Sequence, residues 1–81
     1  MSDHVYPLKR DTFVTTKNGR EEETRVVMTK QTQHGNNCVV TLIRRSGGSI
    51  LLDFAADEEL LYPQHARDIA AVMVELASEK K

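Results

Sequence analysis

The sequence contains a single cysteine, Cys38, and no tryptophan. One cysteine cannot form a disulfide within the chain, which fits a reducing compartment. The longest uninterrupted apolar run, residues 69–74, is far shorter than the roughly 20 residues that span a bilayer. The first ten residues also lack the apolar stretch of a signal peptide. These absences predict a cytoplasmic protein with no membrane partner.

A strong charge of one sign is missing as well. The 81 residues carry a formal net charge of −1, so the whole molecule has no overall attraction to nucleic acid or to a membrane. The contents of 40% hydrophobic and 28% charged residues are typical of a folded globular domain. A chain of this length supports one core and lies near the lower size limit of a domain that is stable alone, so self-association is an option from the start.

Three turn signals divide residues 11–54 into strands. Asn18–Gly19 lies between β-branched stretches and is typical of a two-residue hairpin loop, because a type I′ turn requires positive φ at both positions. His34–Asn37 predicts a second loop of four residues, and Gly47–Gly48 predicts a third loop of two. The predicted strands are Asp11–Lys17, Arg20–Gln33, Cys38–Arg45 and Ser49–Phe54.

The glycine pair Gly47–Gly48 also raises the question of a phosphate-binding loop. Such a loop follows a strand and opens a helix, whose N-terminal amides hold the anion. Five strand-like residues follow Gly48 directly, and the P-loop lysine is missing. The pair is therefore interpreted as a turn between two strands.

The period of the sequence changes after Phe54. Pro63 suits the first position of a helix, where its missing N–H is no loss, and the helix is predicted over Gln64–Ser78. Its apolar stripe consists of Ala66, Ile69, Met73 and Leu76. The order ββββα predicts an α+β fold, a four-stranded antiparallel β-meander with one C-terminal amphipathic helix packed on one face of the sheet. Residues 1–10 are expected to form an extended N-terminal arm, and residues 11–81 a single domain.

Alternation along the predicted strands sorts the side chains into two faces. The predicted registers place Ile43 opposite both Leu52 and Met28, and Phe13 opposite Thr24. The face expected to receive the helix carries Phe13, Val26, Met28, Val39, Ile43, Ile50, Leu52 and Phe54. The opposite face is expected to carry Val14, Val27, Val40, Leu42 and Leu51 among Arg25, Thr29, Gln31, Arg44 and Asp53.

The aliphatic residues of that opposite face favour an interaction surface, since one helix cannot cover both sides of the sheet. Scattered surface aliphatics without a role are the alternative interpretation. Leu42→Asp or Leu51→Lys is expected to dissociate a homodimer and to leave the fold intact. The predicted interface, an apolar centre with a charged rim, consists of Val40, Leu42, Leu51, Arg25, Arg44 and Asp53.

Residue types that serve in catalytic or metal sites are present without a matching pattern. The spacing of a structural zinc site is missing among His4, His34, Cys38 and His65. The acidic runs at residues 21–23 and 57–59 are interpreted as solvated segments, and neither Ser46 nor Ser49 has an identifiable base. The sequence therefore predicts no catalytic residue, no metal site, no cofactor and no enzymatic activity.

Charge is divided unevenly along the chain. The first fifty residues hold eight Lys or Arg against five Asp or Glu, whereas residues 51–81 hold three against seven. A basic sheet can bind a single nucleic-acid strand when cations contact phosphates and aromatic side chains stack on bases. The stacking requirement is poorly met, because both phenylalanines are assigned to the core. The residues that would bind nucleic acid are Arg25, Lys30, Arg44 and Arg45.

Two functions therefore follow from the sequence. The first is a small non-enzymatic protein-interaction module, homodimeric, that binds a larger protein and blocks or regulates it, as small phage-type accessory proteins do. The alternative is a single-stranded nucleic-acid-binding protein that uses the basic sheet face.

Overall fold

A computed structural model describes residues 7–32, 35–56 and 61–78 of the chain. Four strands form one antiparallel sheet in the order β1-β2-β3-β4, and one helix follows them. The predicted α+β fold is confirmed. The elements are β1 (Lys9–Lys17), β2 (Arg20–Thr32), β3 (Gly35–Arg45), β4 (Ile50–Phe54) and α1 (Pro63–Ser78).

The first hairpin has the predicted turn. Lys17 pairs with Arg20, so Asn18 and Gly19 form a two-residue loop. Their φ angles of 54° and 77° are both positive, as a type I′ turn requires. A register shift between Thr15 and Thr16 then moves the pairing by one residue for the rest of β1.

This shift changes the face on which Phe13 lies. Phe13 pairs with Arg25 instead of the predicted Thr24. Its side chain therefore projects from the side of the sheet opposite α1, and its assignment to the core is wrong. An extra residue in one strand reverses the inward and outward positions beyond it, because side chains alternate with a period of two.

The second hairpin is tighter than predicted. Thr32 pairs with Gly35, so β3 begins at Gly35 and includes Gly35, Asn36 and Asn37 of the predicted four-residue loop. Met28 pairs with Val40 instead of Ile43, which exchanges the two faces of β3 relative to the prediction. Gln33, the predicted last residue of the second strand, and His34 of the predicted loop lie outside the described residues.

A second register shift lies between Met28 and Thr29, where Val40 and Cys38 are the successive partners on β3. Val39 is the extra residue between them. Both Val39 and Val40 are buried in the core, and so the predicted burial of Val39 is confirmed while the predicted exposure of Val40 is wrong.

The third hairpin is a turn, as predicted, but its loop has three residues. Arg45 N–H donates to the Ser49 carbonyl at 2.9 Å, and Gly48 N–H donates to the Arg45 carbonyl at 2.8 Å. Gly48 has a φ of 96°. A tight turn followed by a glycine of positive φ is typical of three-residue hairpin loops. The pairing of β3 with β4 is therefore displaced by one residue, and Leu42 lies opposite Leu52.

Helix α1 begins at Pro63, one residue before the predicted start, and ends at the predicted Ser78. The Tyr62 carbonyl accepts the first helical hydrogen bond, from Ala66 N–H at 3.0 Å. One side of the helix packs on the sheet, with Met73 and Ile50 at the margin of the core. The buried core consists of Leu8, Val26, Met28, Val39, Val40, Leu42, Ile69, Val72 and Leu76.

Polar contacts fix the helix on this face of the sheet. The Asp68 carboxylate accepts a hydrogen bond from Leu8 N–H at 3.2 Å. Arg44 lies on the helix side of β3, mostly buried, and donates to the Leu76 carbonyl at 3.5 Å and to Thr24 Oγ1 at 3.1 Å. A cation beside the last turn of a helix is favoured by the partial negative charge there.

The start of the chain differs from the predicted arm at its last residues. Leu8 is buried in the core, and Lys9 and Arg10 belong to β1. Residues 1–6 lie outside the described residues, and so do Lys80 and Lys81. In the part of the chain that the structure describes, no helix is long and apolar enough to cross a membrane.

Candidate interaction surface on the open face of the sheet

The side of the sheet opposite α1 is the open face. Side chains alternate along a strand, so the residues that lie between the core residues of each strand project from the open face. Residues that pair directly across two strands project to the same side. Two rows cross all four strands. The rows are Phe13–Arg25–Ile43–Leu51 and Asp11–Val27–Thr41–Asp53.

The first row combines exposed and buried apolar groups. Phe13 on the edge strand β1 is 55% exposed, and Leu51 on the edge strand β4 is 47% exposed. Ile43 between them is only 6% exposed, although no helix covers it. Its row neighbours Arg25 and Leu51 lie at the usual cross-strand spacing of about 5 Å, close enough to cover it. The row is thus a mainly apolar ridge that Arg25 interrupts, with an accessible apolar side chain at each end.

The second row places an acidic residue on each edge of the open face. Asp11 is half-buried on β1, and Asp53 is exposed on β4. Val27 and Thr41 between them are half-buried. This row carries negative charge at its ends and a largely apolar middle.

The cation of the first row is already paired. Arg25 Nη2 donates to Glu23 Oε2 at 2.8 Å, and Arg25 Nε donates to the same oxygen at 3.2 Å. Both side chains are partly exposed to solvent, so this ion pair contributes little to the free energy of folding. It does offset the positive charge of Arg25, and the other charges of the open face include Asp11 and Asp53 at its edges and Arg45 beside the β3–β4 turn.

Three of the six predicted interface residues lie on the open face: Arg25, Leu51 and Asp53. The other three do not. Val40 and Leu42 are 0% exposed beneath α1, and Arg44 lies on the same side, bound to the helix. Their predicted exposure is wrong because the extra residue Val39 shifts the pairing of β3 with β2 by one residue, which exchanges the faces of β3 beyond it. Leu42 is a core residue, so Leu42→Asp is now expected to unfold the chain and not simply to dissociate a dimer.

Phe13 and Ile43 are the residues of the ridge that the sequence analysis places on the helix face, and both assignments are wrong. The sequence shows that Phe13 is an aromatic residue on the first strand. A hairpin without a register shift places its side chain on the helix side, and the shift near Thr15 reverses that placement. Leu52 and Phe54 lie on the helix side of β4, as predicted, but both stay partly exposed there.

The four cations named for nucleic-acid binding are divided between the two faces. Arg25 and Arg45 project from the open face, whereas Lys30 and Arg44 project from the helix face. Arg44 also approaches Glu21 at 3.5 Å. The sheet therefore gives no row of four cations along which a phosphate backbone could run, although the exposed Phe13 supplies one aromatic ring for stacking.

The residue types of metal sites are not gathered in the described ranges, where no three His, Cys, Asp or Glu side chains lie together. Cys38 is an exposed thiol on β3. His65 is buried at the start of α1, and its ring contacts the Tyr62 ring edge to face at a centroid distance of 5.6 Å. His4 and His34 lie outside the described residues.

Comparison with known proteins gives no relative: no family model, no curated protein and no solved structure matches the chain.

Proposed function

We propose that this chain is a small non-enzymatic interaction module that binds a larger protein through the open face of its sheet. The observation that carries the proposal is the apolar ridge, which ends in the exposed side chains of Phe13 and Leu51. A sheet face directed to solvent is usually polar, whereas this one holds large apolar groups at accessible positions.

The ridge has the composition of an interface centre. Aromatic residues are enriched at energetically important positions of protein interfaces. Full burial of a Phe or Leu side chain is worth about 1.5–3 kcal/mol, and roughly half of that remains available for each of these two half-exposed residues. Asp11 and Asp53 flank the ridge on one side, so the partner surface that fits best has an apolar centre and basic groups opposite these two acids.

The experiment compares proteins captured by wild-type bait and by three matched variants. Phe13→Ser combined with Leu51→Ser removes both ends of the ridge. Val14→Ser and Val74→Ser each remove an exposed valine from the helix side of the molecule. We expect a partner that is retained by wild type and both valine variants and lost with the double variant.

The affinity for the purified partner then gives a quantitative check. The double variant should raise Kd about tenfold or more, since two apolar contacts are lost. The proposal fails if wild-type bait retains no protein above a tag-only control, or if the double variant binds the partner with wild-type affinity.

Nucleic acid is the competing ligand, and the same protein tests it. Fluorescence anisotropy of labelled single-stranded DNA and RNA should show no binding at low salt, because the cations are divided between the faces. Tight binding that falls steeply with salt would contradict this expectation, since each phosphate contact releases counterion. Arg25→Ala and Arg45→Ala would then locate the site on the open face.

A further inference from the structure

The outer edge of β4 presents backbone groups that strand β3 does not use. Hydrogen bonds at the two ends of the ladder, Arg45 N to Ser49 O and Ala55 N to Val39 O, show that the odd-numbered residues of this segment bond toward β3. Antiparallel pairing alternates, so the N–H and C=O groups of Ile50, Leu52 and Phe54 point outward. Within the described residues, β4 is the last strand of the sheet on this side.

The two edges of the sheet differ in their protection against pairing. Strand β1 carries Lys9, Arg10 and Lys17, and its register shift lies near Thr15. Lysines, other charges and bulges are the usual devices that keep an edge strand from pairing with another chain. Strand β4, with the sequence ILLDF, has no Lys, Arg or Pro, and its ladder runs without a register shift. The edge at β4 is therefore the one suited to pairing.

An uncharged strip lies beside this edge on the helix side. Leu52 is 38% exposed and Phe54 is 42% exposed, because α1 is attached toward β1 by the contacts of Asp68 with Leu8 and of Glu75 with Arg10. The opposite flank of the helix carries no charge. The strip, called the β4 strip below, consists of Leu52, Phe54, Ala66, Ala70, Met73 and Ala77.

On the open face, the charged side chains near the β4 edge are complementary between two copies of the chain. Asp53 projects from the open face of β4, and Arg45 projects from the same face at the β3–β4 turn. Neither takes part in an ion pair within the described part of the protomer. In an antiparallel arrangement of two β4 strands, Asp53 of each copy approaches the turn that carries Arg45 of the other.

We infer that a second copy of this chain pairs with β4 in antiparallel fashion about a two-fold axis at Leu52. Leu52 then lies opposite its own copy, and Ile50 lies opposite Phe54, so the outward backbone groups of all three residues are satisfied. The same patch meets itself, as a two-fold interface requires. The β4 strips of the two copies adjoin and bury Leu52 and Phe54 between the helices.

The pairing leaves both open faces accessible on one side of a continuous sheet. The dimer therefore presents two apolar ridges side by side, and a partner with two matching sites gains avidity from binding both. Leu51 and Asp53 are the side chains that the dimer edge and the open face have in common. All other contacts differ, so the inference does not rest on the proposed function.

Mass in solution tests the inference. Wild type should have twice the 9.2 kDa chain mass by light scattering and sedimentation. Leu52→Lys and Phe54→Lys should raise the dimer dissociation constant by about a hundredfold or more, because each lysine occurs twice in a two-fold interface. Val14→Lys, a matched change on the helix side of the β1 edge, and Phe13→Lys, a change on the open face of the same strand, should both leave the dimer unchanged.

Each of the contrary outcomes overturns the inference. A wild-type protein that stays monomeric at all concentrations up to the millimolar range contradicts the proposed dimer. A folded Phe54→Lys variant that stays dimeric contradicts pairing at the β4 edge, and dissociation by Phe13→Lys alone assigns the dimer to the open face instead.

Amide hydrogen exchange on unmodified protein covers the case in which the lysine variants do not fold. The amides of Ile50, Leu52 and Phe54 point away from β3 and should exchange slowly only in the dimer. Their protection should therefore increase with protein concentration, whereas that of the β2 amides at the centre of the sheet should not. Fast exchange of the three amides at every concentration contradicts the pairing.

Discussion

Arg10 and Glu75 connect the first strand to the helix through two hydrogen bonds, from Nη1 to Oε1 at 2.8 Å and from Nη2 to Oε2 at 2.6 Å. The two residues are 65 positions apart in the sequence. A bidentate contact between a guanidinium and a carboxylate fixes orientation as well as distance. It holds α1 toward β1 and leaves the helix-side residues of β4 only partly covered.

The first prediction concerns acid stability. The hydrogen bond from Arg10 lowers the pKa of Glu75 below its ordinary value of 4.5. A carboxyl group whose pKa is lower in the folded chain stabilises the fold above its unfolded pKa, and this contribution is lost as pH falls through the folded pKa. Glu75→Gln should therefore reduce the free energy of unfolding at pH 7 and flatten its decline below pH 4.5.

Urea denaturation of wild type and variant across this pH range measures the difference. Glu22→Gln, a change at an exposed acid of β2, is the matched control and should keep the wild-type pH profile. A Glu75→Gln profile parallel to that of wild type at every pH would show that the contact contributes nothing to folding.

Local signals in the sequence were sufficient to predict the four strands and the helix, but they were not sufficient to predict the registers in which the strands pair. Asn18–Gly19 favours a turn and Pro63 a helix start because of the φ angles that these residues themselves adopt. Both features can therefore be predicted without knowing which strands pair. The extra residue Val39 in β3 depends on packing between strands and leaves no local mark. One such residue exchanges the faces of a strand, and this is why Leu42 was assigned to the wrong side.

The second prediction distinguishes the two faces of the sheet by stability. Leu42 is fully buried beneath the helix, whereas Leu51 is exposed on the open face. Leu42→Ala should cost about 2–5 kcal/mol in the free energy of unfolding, through lost burial and the cavity that remains. Leu51→Ala should change it by about 0.5 kcal/mol, as is usual for a surface position. Chemical denaturation monitored by circular dichroism measures both values.

The charged variants extend this comparison. Leu42→Asp should unfold the chain, because an unpaired carboxylate in the core costs a large part of the stability of a small domain. Leu51→Lys should fold normally. A native circular dichroism spectrum for Leu42→Asp would restore the register in which Leu42 faces solvent.

The existence of an exposed sheet face could be predicted from the sequence, and so could the position of three of the six residues named for the interface. That one helix leaves a sheet face uncovered follows from the element order, so an exposed face with aliphatic residues was expected. Arg25, Leu51 and Asp53 were assigned to it, while Phe13 required knowledge of the shift near Thr15. The side-chain pair of Arg25 with Glu23 could not be predicted either, because residues two apart on a strand share a face without being obliged to bond.

The third prediction concerns the glycine pair, whose loop length sets the pairing of β3 with β4. Gly48 has a φ of 96°, which L side chains rarely adopt, whereas Gly47 has no such angle. A Cβ atom at either position would meet nothing within 4 Å, so the difference between the two sites is conformational and not steric. Gly48→Ala should cost about 1–3 kcal/mol, and Gly47→Ala should be neutral or gain about 0.5 kcal/mol by restricting the unfolded chain. Thermal and urea unfolding of the two alanine variants measure this contrast. Equal effects of the two substitutions would mean that the three-residue loop does not set the register, and the predicted two-residue loop, with Ile43 opposite Leu52, would then regain support.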